Sequence, residues 1–203
     1  AEQELMVSPR LDDFACTFAA GESMAEAAPE KYIPVCAVFD NEEVGSQTMQ
    51  GAASDFLISV LRRIAGDFGQ DIDRLLATSF LISADNAHAL HPNYTEKADP
   101  TNRPVLNKGI VIKYHGGQKY TTDAYSEAMM KLLCKEAQVS CQTYQNRSDI
   151  AGGSTLGNIS ARQVPVTCVD IGIPQLAMHS AVETAGRHDI EDLGKVLKVF
   201  FDR

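Results

Sequence analysis

The sequence lacks paired cysteine motifs: it has five cysteines, an odd number, and no two of them are spaced as CxxC. Four of the five lie in apolar segments, which is typical of buried free thiols in a reducing compartment. We therefore expect no disulfide framework and a cytoplasmic location. The five are Cys16, Cys36, Cys134, Cys141 and Cys168.

Long apolar runs and excess basic charge are missing too. No stretch is apolar for long enough to span a bilayer, and the first residues form no signal-peptide pattern, so we expect no membrane partner. The chain has 18 basic and 27 acidic residues, a formal net charge of −9. This balance argues against nucleic acid as a partner. The opening AEQELMVSPRLDD has no initiator Met and is typical of entry into mid-domain, which suggests part of a longer polypeptide.

What the chain does contain is a regular alternation of strand-like and helix-like segments over its 203 residues. The periodicity predicts strands at 4–7, 32–39, 77–84, 109–114, 140–145 and 165–172, and helices at 8–21, 50–66, 120–137 and 187–203, with a short helix after the Gly-rich loop 146–158. The first helix is expected to have Ser8 as N-cap and to stop at Gly21. Together these segments predict an α/β fold, a three-layer α/β/α sandwich with a largely parallel mixed central sheet.

Acidic and imidazole side chains follow the predicted strands. In open α/β sheets ligands bind beyond the carboxyl ends of the strands, so these residues are expected at one rim. The set comprises Asp40, Glu42 and Glu43 after 32–39; Asp85, His88 and His91 after 77–84; Arg147 and Asp149 after 140–145; Asp170 and His179 after 165–169; and Asp12 in the first helix. The crowded acids of VFDNEEVGS would repel one another in a cleft unless cations or protons offset their charge.

Carboxylates and imidazoles around a doubled glutamate suit Zn²⁺ or a similar divalent ion. Two ions bridged by one carboxylate would explain so many acids in one place. One glutamate of the pair could then ligate a metal, while the other acts as a general base towards a metal-activated water.

Each element also has an ordinary structural explanation. NEEVGS could be a solvated turn, Asp85 an N-cap or Asx-turn, and the loop histidines His88 and His91 simple surface. A lone histidine with apolar neighbours, such as His179, is more often a hydrogen-bonded core residue. GGSTLGN lacks the Gly-Lys-[Ser/Thr] ending of a phosphate loop. The metal hypothesis therefore depends on the joint placement of these residues.

Six longer motifs make the sequence recognisable: SPRLDD, FDNEEVGS with QGA, SADNAHALHPNY, VIKYHGGQKYTTDA, GGSTLG and DIGIPQLAMHS occur in that order. Together they resemble the aspartyl aminopeptidase family of di-zinc metallopeptidases over nearly the whole chain. The resemblance implies the α/β/α catalytic domain of the zinc aminopeptidases, with two Zn²⁺ per complete active site. It implies removal of N-terminal acidic residues, Asp or Glu, from peptides. It also implies a large hollow homo-oligomer of the dodecamer type.

The resemblance implies a role for each matching residue. Glu42 matches the general base, Asp12 the carboxylate that bridges the metals, Glu43 and His179 the ligands of one metal, and Asp85 a ligand of the other. His88, Lys113, Tyr120 and Met178 match positions that line the substrate pocket. A cation such as Lys113 would stabilise the side-chain carboxylate of an acidic substrate.

One departure from the family pattern sets an expectation about completeness. The family supplies a further metal-ligating histidine from an N-terminal segment, in a His-x-Asp type motif that this chain lacks, and the inserted dimerisation domain is also absent. We therefore expect residues 1–203 to be the C-terminal portion of a metallopeptidase catalytic domain. Alone, it would bind one metal well and the second poorly, with little or no activity. The alternatives are a non-catalytic fragment of such an enzyme and a di-metal phosphoesterase.

Overall fold

Helices and strands alternate through residues 4–203, the residues that this computed structural model describes. The strands are β1 (Leu5–Ser8), β2 (Phe80–Ala84), β3 (Ala87–His88), β4 (Ile110–Tyr114), β5 (Cys141–Gln145), β6 (Thr167–Gly172), β7 (Pro174–Leu176) and β8 (Glu183–Gly186). The helices are α1 (Leu11–Ala25), α2 (Phe56–Asp67), α3 (Ile72–Ala77), α4 (Ala124–Glu136), α5 (Leu156–Ser160) and α6 (Arg187–Phe201), with a 3-10 turn at Thr95–Lys97. The predicted α/β class is confirmed.

The strands are divided between two four-stranded mixed sheets. The first has the order β2-β6-β4-β5, with β2 parallel to β6, β4 parallel to β5, and β4 antiparallel to β6. The second has the order β1-β8-β7-β3, with β3 parallel to β7 and the other pairs antiparallel. The two sheets are connected where β2 leads into β3 and β6 leads into β7. At this junction Asp85 and Ala87 donate backbone hydrogen bonds to the carbonyls of Ile171 and Ile173. The carboxyl end of β2 therefore lies directly against the end of β6.

The core lies between the first sheet and the helices α1, α4 and α6. Its fully buried side chains include Ile110 and Ile112 of β4, Val169 and Ile171 of β6, Met130 of α4, and Leu193 and Val196 of α6. The alternate residues of each strand share one face, and the spacing within α6 places its apolar residues on one side. Helices α1 and α6 pack together, so the two ends of the chain meet in the same layer.

Three boundary predictions are wrong, for local reasons. Ser8 belongs to β1, and α1 continues through Gly21 to Ala25. The regular part of α1 starts late, since Asp12 and Asp13 have non-helical backbone angles. The helix expected at 50–66 begins only at Phe56, because turns occupy the residues before it.

The strand predicted at 32–39 is also wrong: this apolar run forms no strand. Tyr32, Ile33 and Val38 each expose more than half of their surface. An unbroken apolar run is typical of a strand covered on both faces, and no described strand lies beside this one. The segment is held mainly at its start, where Lys31 and Tyr32 donate backbone hydrogen bonds to the carbonyl of Arg203.

An apolar cleft of about 1110 Å³ is lined both by residues 31–44 and by β2. Because β2 is at the edge of the first sheet, one side of its backbone has no strand partner among residues 4–203. Apolar side chains dominate the lining, including Val35, Val38, Phe39, Leu57, Leu61, Leu81 and Ile82. The lining also contains six carboxylates: Asp12, Asp13, Asp40, Glu42, Glu43 and Asp85. The cleft therefore connects an open sheet edge with the acidic cluster.

All five cysteines are free, with Cys16, Cys134 and Cys168 buried. This agrees with the expectation of unpaired thiols. Among the described residues, none of the helices has the length and apolar character needed to cross a membrane.

Candidate metal centre

Asp12, Glu43 and His179 form a cluster of two carboxylates and one imidazole. The His179 Nε2 atom lies 3.0 Å from Asp12 Oδ2 and 2.8 Å from Glu43 Oε1. Asp12 comes from the start of α1, Glu43 from the loop after residues 32–39, and His179 from the turn between β7 and β8. Oxygen and imidazole nitrogen are the atoms with which Asp, Glu and His bind zinc, and three such atoms converge here.

The exposure of the three side chains differs in a way that suits an ion open to water. The Asp12 side chain is 5% exposed, whereas those of Glu43 and His179 are 55% and 60% exposed. One ligand is thus fixed in the protein interior, and the other two border solvent. An ion bound between them would keep a side open for water or substrate.

A second cluster shares Asp12 and adds Asp13 and Asp85. One carboxylate oxygen of Asp12 and one of Asp13 are buried without a hydrogen-bond partner, which is costly for a carboxylate. Burial, with Asp85 and Asp13 nearby, raises the pKa of Asp12 to about 9. Burial and Asp85 likewise raise the pKa of Asp13 well above its usual value. A divalent cation would satisfy these oxygens in place of protons, so both clusters fit metal binding.

Glu42 precedes Glu43 in a turn closed by backbone and side-chain hydrogen bonds. Gly45 donates to the Glu42 carbonyl, and Asn41 Nδ2 donates to Thr48 Oγ1 at 3.1 Å. Asn41 and Gly45 both have positive φ, which allows the chain to reverse tightly here. Burial, followed by the charges of Asp85 and Glu43, raises the pKa of Glu42 to about 7. A carboxylate that titrates near neutral pH is suited to act as a general base.

Of the four predicted pocket residues, three lie in one region beside Asp85. Lys113 Nζ is 5.1 Å from the centre of the Tyr120 ring, and Tyr144 lies next to both Tyr120 and His88, with ring centres 6.5 and 6.3 Å apart. Burial and the Lys113 charge lower the pKa of His88. No sequence motif indicated Tyr144, whose place depends on the pairing of β5 with β4.

Lys113 is buried and its ammonium group is fully engaged. It donates to the Asp85 carboxylate at 2.9 Å, to the Asp85 carbonyl at 2.9 Å and to the Asn86 carbonyl at 3.2 Å. Burial lowers the pKa of Lys113, but Asp85 and Tyr120 outweigh burial and raise it overall, so the group is charged. Its nearest partner is thus a predicted metal ligand.

The other candidate residues lie in different surroundings. Met178 precedes His179 in the same turn. Arg147 and Asp149 pair with each other at 2.5 Å, and His91 lies against the ring of Tyr94. Asp170 is buried and accepts hydrogen bonds from Thr121 and Thr155, which ties two loops to β6.

Comparison with known proteins places the chain in a family. Residues 1–201 match the family model of the aminopeptidase I zinc metalloproteases, M18. The chain is 48% identical to a probable M18 family aminopeptidase 2 of Clostridium novyi, over 99% of this chain and 47% of the relative. It is 42% identical to the corresponding Mycobacterium tuberculosis protein, over 97% of this chain and 47% of the relative. The chain therefore belongs to the M18 zinc metallo-aminopeptidase family, and it spans about half the length of these relatives.

Solved structures agree with the family assignment. An M18 aminopeptidase from Thermotoga maritima matches 98% of this chain and 46% of its own, with a TM-score of 0.88 and 26% identity. Yeast aminopeptidase 1 matches the same shares with a TM-score of 0.86 and 31% identity. A further match, with a TM-score of 0.85 and 30% identity over 98% of this chain and 46% of its own, is the S. cerevisiae mApe1 dodecamer.

Proposed function

We propose that this chain carries the general base and most of the metal ligands of an aminopeptidase that removes N-terminal Asp or Glu from peptides. The observation that carries the proposal is the convergence of the Asp12, Glu43 and His179 side chains, with Glu42 directly before Glu43 in the same turn. The chain would hold one Zn²⁺ between those three residues. Asp12 and Asp85, with Asp13 close to both, would hold a second. Neither the substrate nor a binding partner would be a nucleic acid, because the chain has a net charge of −9.

In this mechanism Glu42 takes a proton from the attacking water and returns it to the leaving amine. Its raised pKa allows it to bind the proton and release it within one cycle near neutral pH. When bound, the zinc ions supply Lewis acidity for the water and for the scissile carbonyl. Glu43 and His179 border solvent, where a peptide terminus can approach, whereas Asp12 keeps the arrangement fixed from the interior.

The reaction class is tested with Asp-p-nitroanilide and p-nitrophenyl phosphate as competing substrates. The aminopeptidase proposal expects the assembled enzyme, in the presence of zinc, to turn over the first and not the second. Turnover of the phosphate ester alone would favour the di-metal phosphoesterase, which also uses clustered carboxylates and histidines.

Replacing Lys113 with methionine tests the source of acidic preference. We expect kcat/KM to fall about 10-fold or more for N-terminal Asp substrates, and much less for N-terminal Ala substrates. In this proposal the Lys113 ammonium group exchanges one of its backbone carbonyl partners for the substrate carboxylate. Methionine cannot make that charge-assisted contact of roughly 1.5–3 kcal/mol. Lys119→Met is the matched control, since Lys119 donates to the Gly152 carbonyl in a neighbouring loop. Equal losses on both substrates, together with weaker zinc binding, would mean that Lys113 acts only by holding Asp85.

We further propose that residues 1–203 form the C-terminal portion of a catalytic domain whose remainder occupies the apolar cleft. An extended segment there would pair with the open edge of β2 and cover residues 32–39. This would give the run 32–39 the two covered faces that its composition indicates. The cleft also reaches Asp12 and Asp85, so the same portion could complete the second metal site.

The proposal that this chain and a further portion together form the catalytic domain is tested by co-expression. The partner polypeptide is the portion of the Clostridium novyi relative that this chain does not cover. We expect the two polypeptides to co-purify and to hydrolyse Asp-p-nitroanilide, whereas the chain alone binds one zinc tightly and turns over little substrate. Leu81→Asp in the cleft should prevent association, and Leu132→Asp on the exposed side of α4 should not. Two equally tight zinc sites on the chain alone would refute the proposal.

For the assembled protein we propose a homo-oligomer of the dodecamer type and a cytoplasmic location. The yeast relative solved as a dodecamer supports the first. The five free thiols support the second.

A further inference from the structure

Glu183 is a buried carboxylate that contacts two of the proposed metal ligands through their backbones. It is the first residue of β8 and is only 2% exposed. Its Oε2 atom accepts a hydrogen bond from the Asp12 N–H at 3.0 Å, and its Oε1 atom accepts one from the His179 N–H at 2.6 Å. Each oxygen of one carboxylate thus holds one residue of the metal cluster.

The backbone of His179 needs such a partner because its conformation is unfavourable. His179 has φ of 66°, in the left-handed region that few non-glycine residues adopt. Its ring is 60% exposed, so the ring has little packing to fix its position. The hydrogen bond to Glu183 stabilises the turn at the residue whose ring must face Asp12 and Glu43.

The backbone next to Asp12 is held by hydrogen bonds on two sides. The peptide group between Leu11 and Asp12 donates its N–H to Glu183, and its carbonyl accepts a hydrogen bond from Asn86 Nδ2 at 2.8 Å. Asn86 is 3% exposed, so both contacts lie in the interior. The orientation of this peptide group sets the direction of the Asp12 side chain.

We propose that Glu183 is a positioning residue of the metal centre: it holds Asp12 and His179 at the separation needed to bind one zinc ion. It is absent from the groups whose ligand atoms converge, and both its oxygens already accept hydrogen bonds. It therefore acts through the two ligands and not as a ligand itself. This inference depends on the proposed ligand roles of Asp12 and His179.

The contact requires two acceptors on one side chain. Glutamine has the shape of glutamate but offers one acceptor oxygen and one NH₂ donor. In Glu183→Gln, one of the two backbone N–H groups would face a donor and lose its hydrogen bond. Aspartate keeps both acceptors but is one methylene shorter, so it cannot reach both N–H groups from the same backbone position.

The experiment compares Glu183→Gln with Asp189→Asn in the full chain. Asp189 is an apt control because it is also fully buried and also accepts two backbone N–H bonds, from Asn107 at 2.6 Å and Gly109 at 2.8 Å. We measure zinc affinity by competition with a chelator, the visible spectrum of the Co²⁺-loaded chain, and urea unfolding. Glu183→Gln should weaken zinc binding about 10- to 100-fold and change the Co²⁺ spectrum. Asp189→Asn should lower stability and leave both metal readouts unchanged.

The outcomes separate this inference from the proposed metal site. If His179→Ala weakens zinc binding but Glu183→Gln does not, Glu183 is only structural and the inference is overturned. If neither variant weakens zinc binding, the proposed ligand set is wrong, and the inference, which depends on it, is overturned with it. Should Glu183→Gln not fold, Glu183→Asp takes its place, and a folded Glu183→Asp chain with wild-type zinc affinity and Co²⁺ spectrum would equally overturn the inference.

Discussion

Replacing Glu42 with glutamine is expected to reduce peptide turnover by roughly 10²–10⁴-fold while zinc stays bound, because the change removes only the proton-accepting oxygen. Without metal, burial and the charges of Asp85 and Glu43 raise the pKa of Glu42 to about 7, which favours proton uptake, whereas glutamine cannot take up a proton at neutral pH. The measurement is kcat for Asp-p-nitroanilide on the assembled enzyme, with zinc content determined on the same sample.

Two further variants show whether the Glu42 effect is specific. Glu43→Gln makes the same glutamate-to-glutamine change at the adjacent residue. It should lower zinc content as well as turnover, because Glu43 contacts the His179 ring. Glu22→Gln makes the same change at an exposed position of α1 and should alter neither. A Glu42→Gln enzyme with kcat near the wild-type value would assign the base to another group.

Replacing His179 with alanine is expected to weaken zinc binding by more than the roughly 10- to 100-fold typical of residues that only orient a ligand. His179 supplies the one nitrogen atom in the two converging clusters of the described residues, and two carboxylates alone make a poor site for zinc. Chelator competition on the full chain measures the effect. Asp12 and Glu43 would then face each other without the ring between them.

His188→Ala is the matched control for this loss. His188 is also exposed and also near a carboxylate, Glu191 at 3.4 Å, but it lies on α6 and belongs to neither converging cluster. The zinc affinity of the His188→Ala chain should equal that of the wild type. Equal affinity for the His179→Ala chain would contradict the assignment of the metal centre.

Much of the fold is readable from local pattern. The segments that became β4, β5, α4 and α6 were predicted within a few residues, because each pairs or packs within the described chain. The strand prediction for residues 32–39 is wrong because none of the strands among residues 4–203 pairs with this apolar run. The division of the strands into two sheets was not predictable either, since it depends on how β3 and β7 continue the pair β2–β6.

The site was readable only in part. Asp12, Glu42, Glu43, Asp85 and His179 stand out by motif. The first four line the cleft, and His179 contacts Asp12 and Glu43, while the roles of all five stay predictions. Asp13 was visible in the doubled aspartate of LDD but was not assigned a role. Glu183 had no signal at all, because the sequence around it gives no hint that β8 pairs with β1.

The distance along the chain between Asp12 and Glu183 has a consequence for biosynthesis. These residues are 171 positions apart, and the pairing of β1 with β8 and the packing of α1 on α6 span the chain in the same way. A ribosome delivers Asp12 long before His179, Glu183 and α6 exist outside the exit tunnel. The proposed zinc site therefore cannot assemble until His179 and Glu183 have left the exit tunnel.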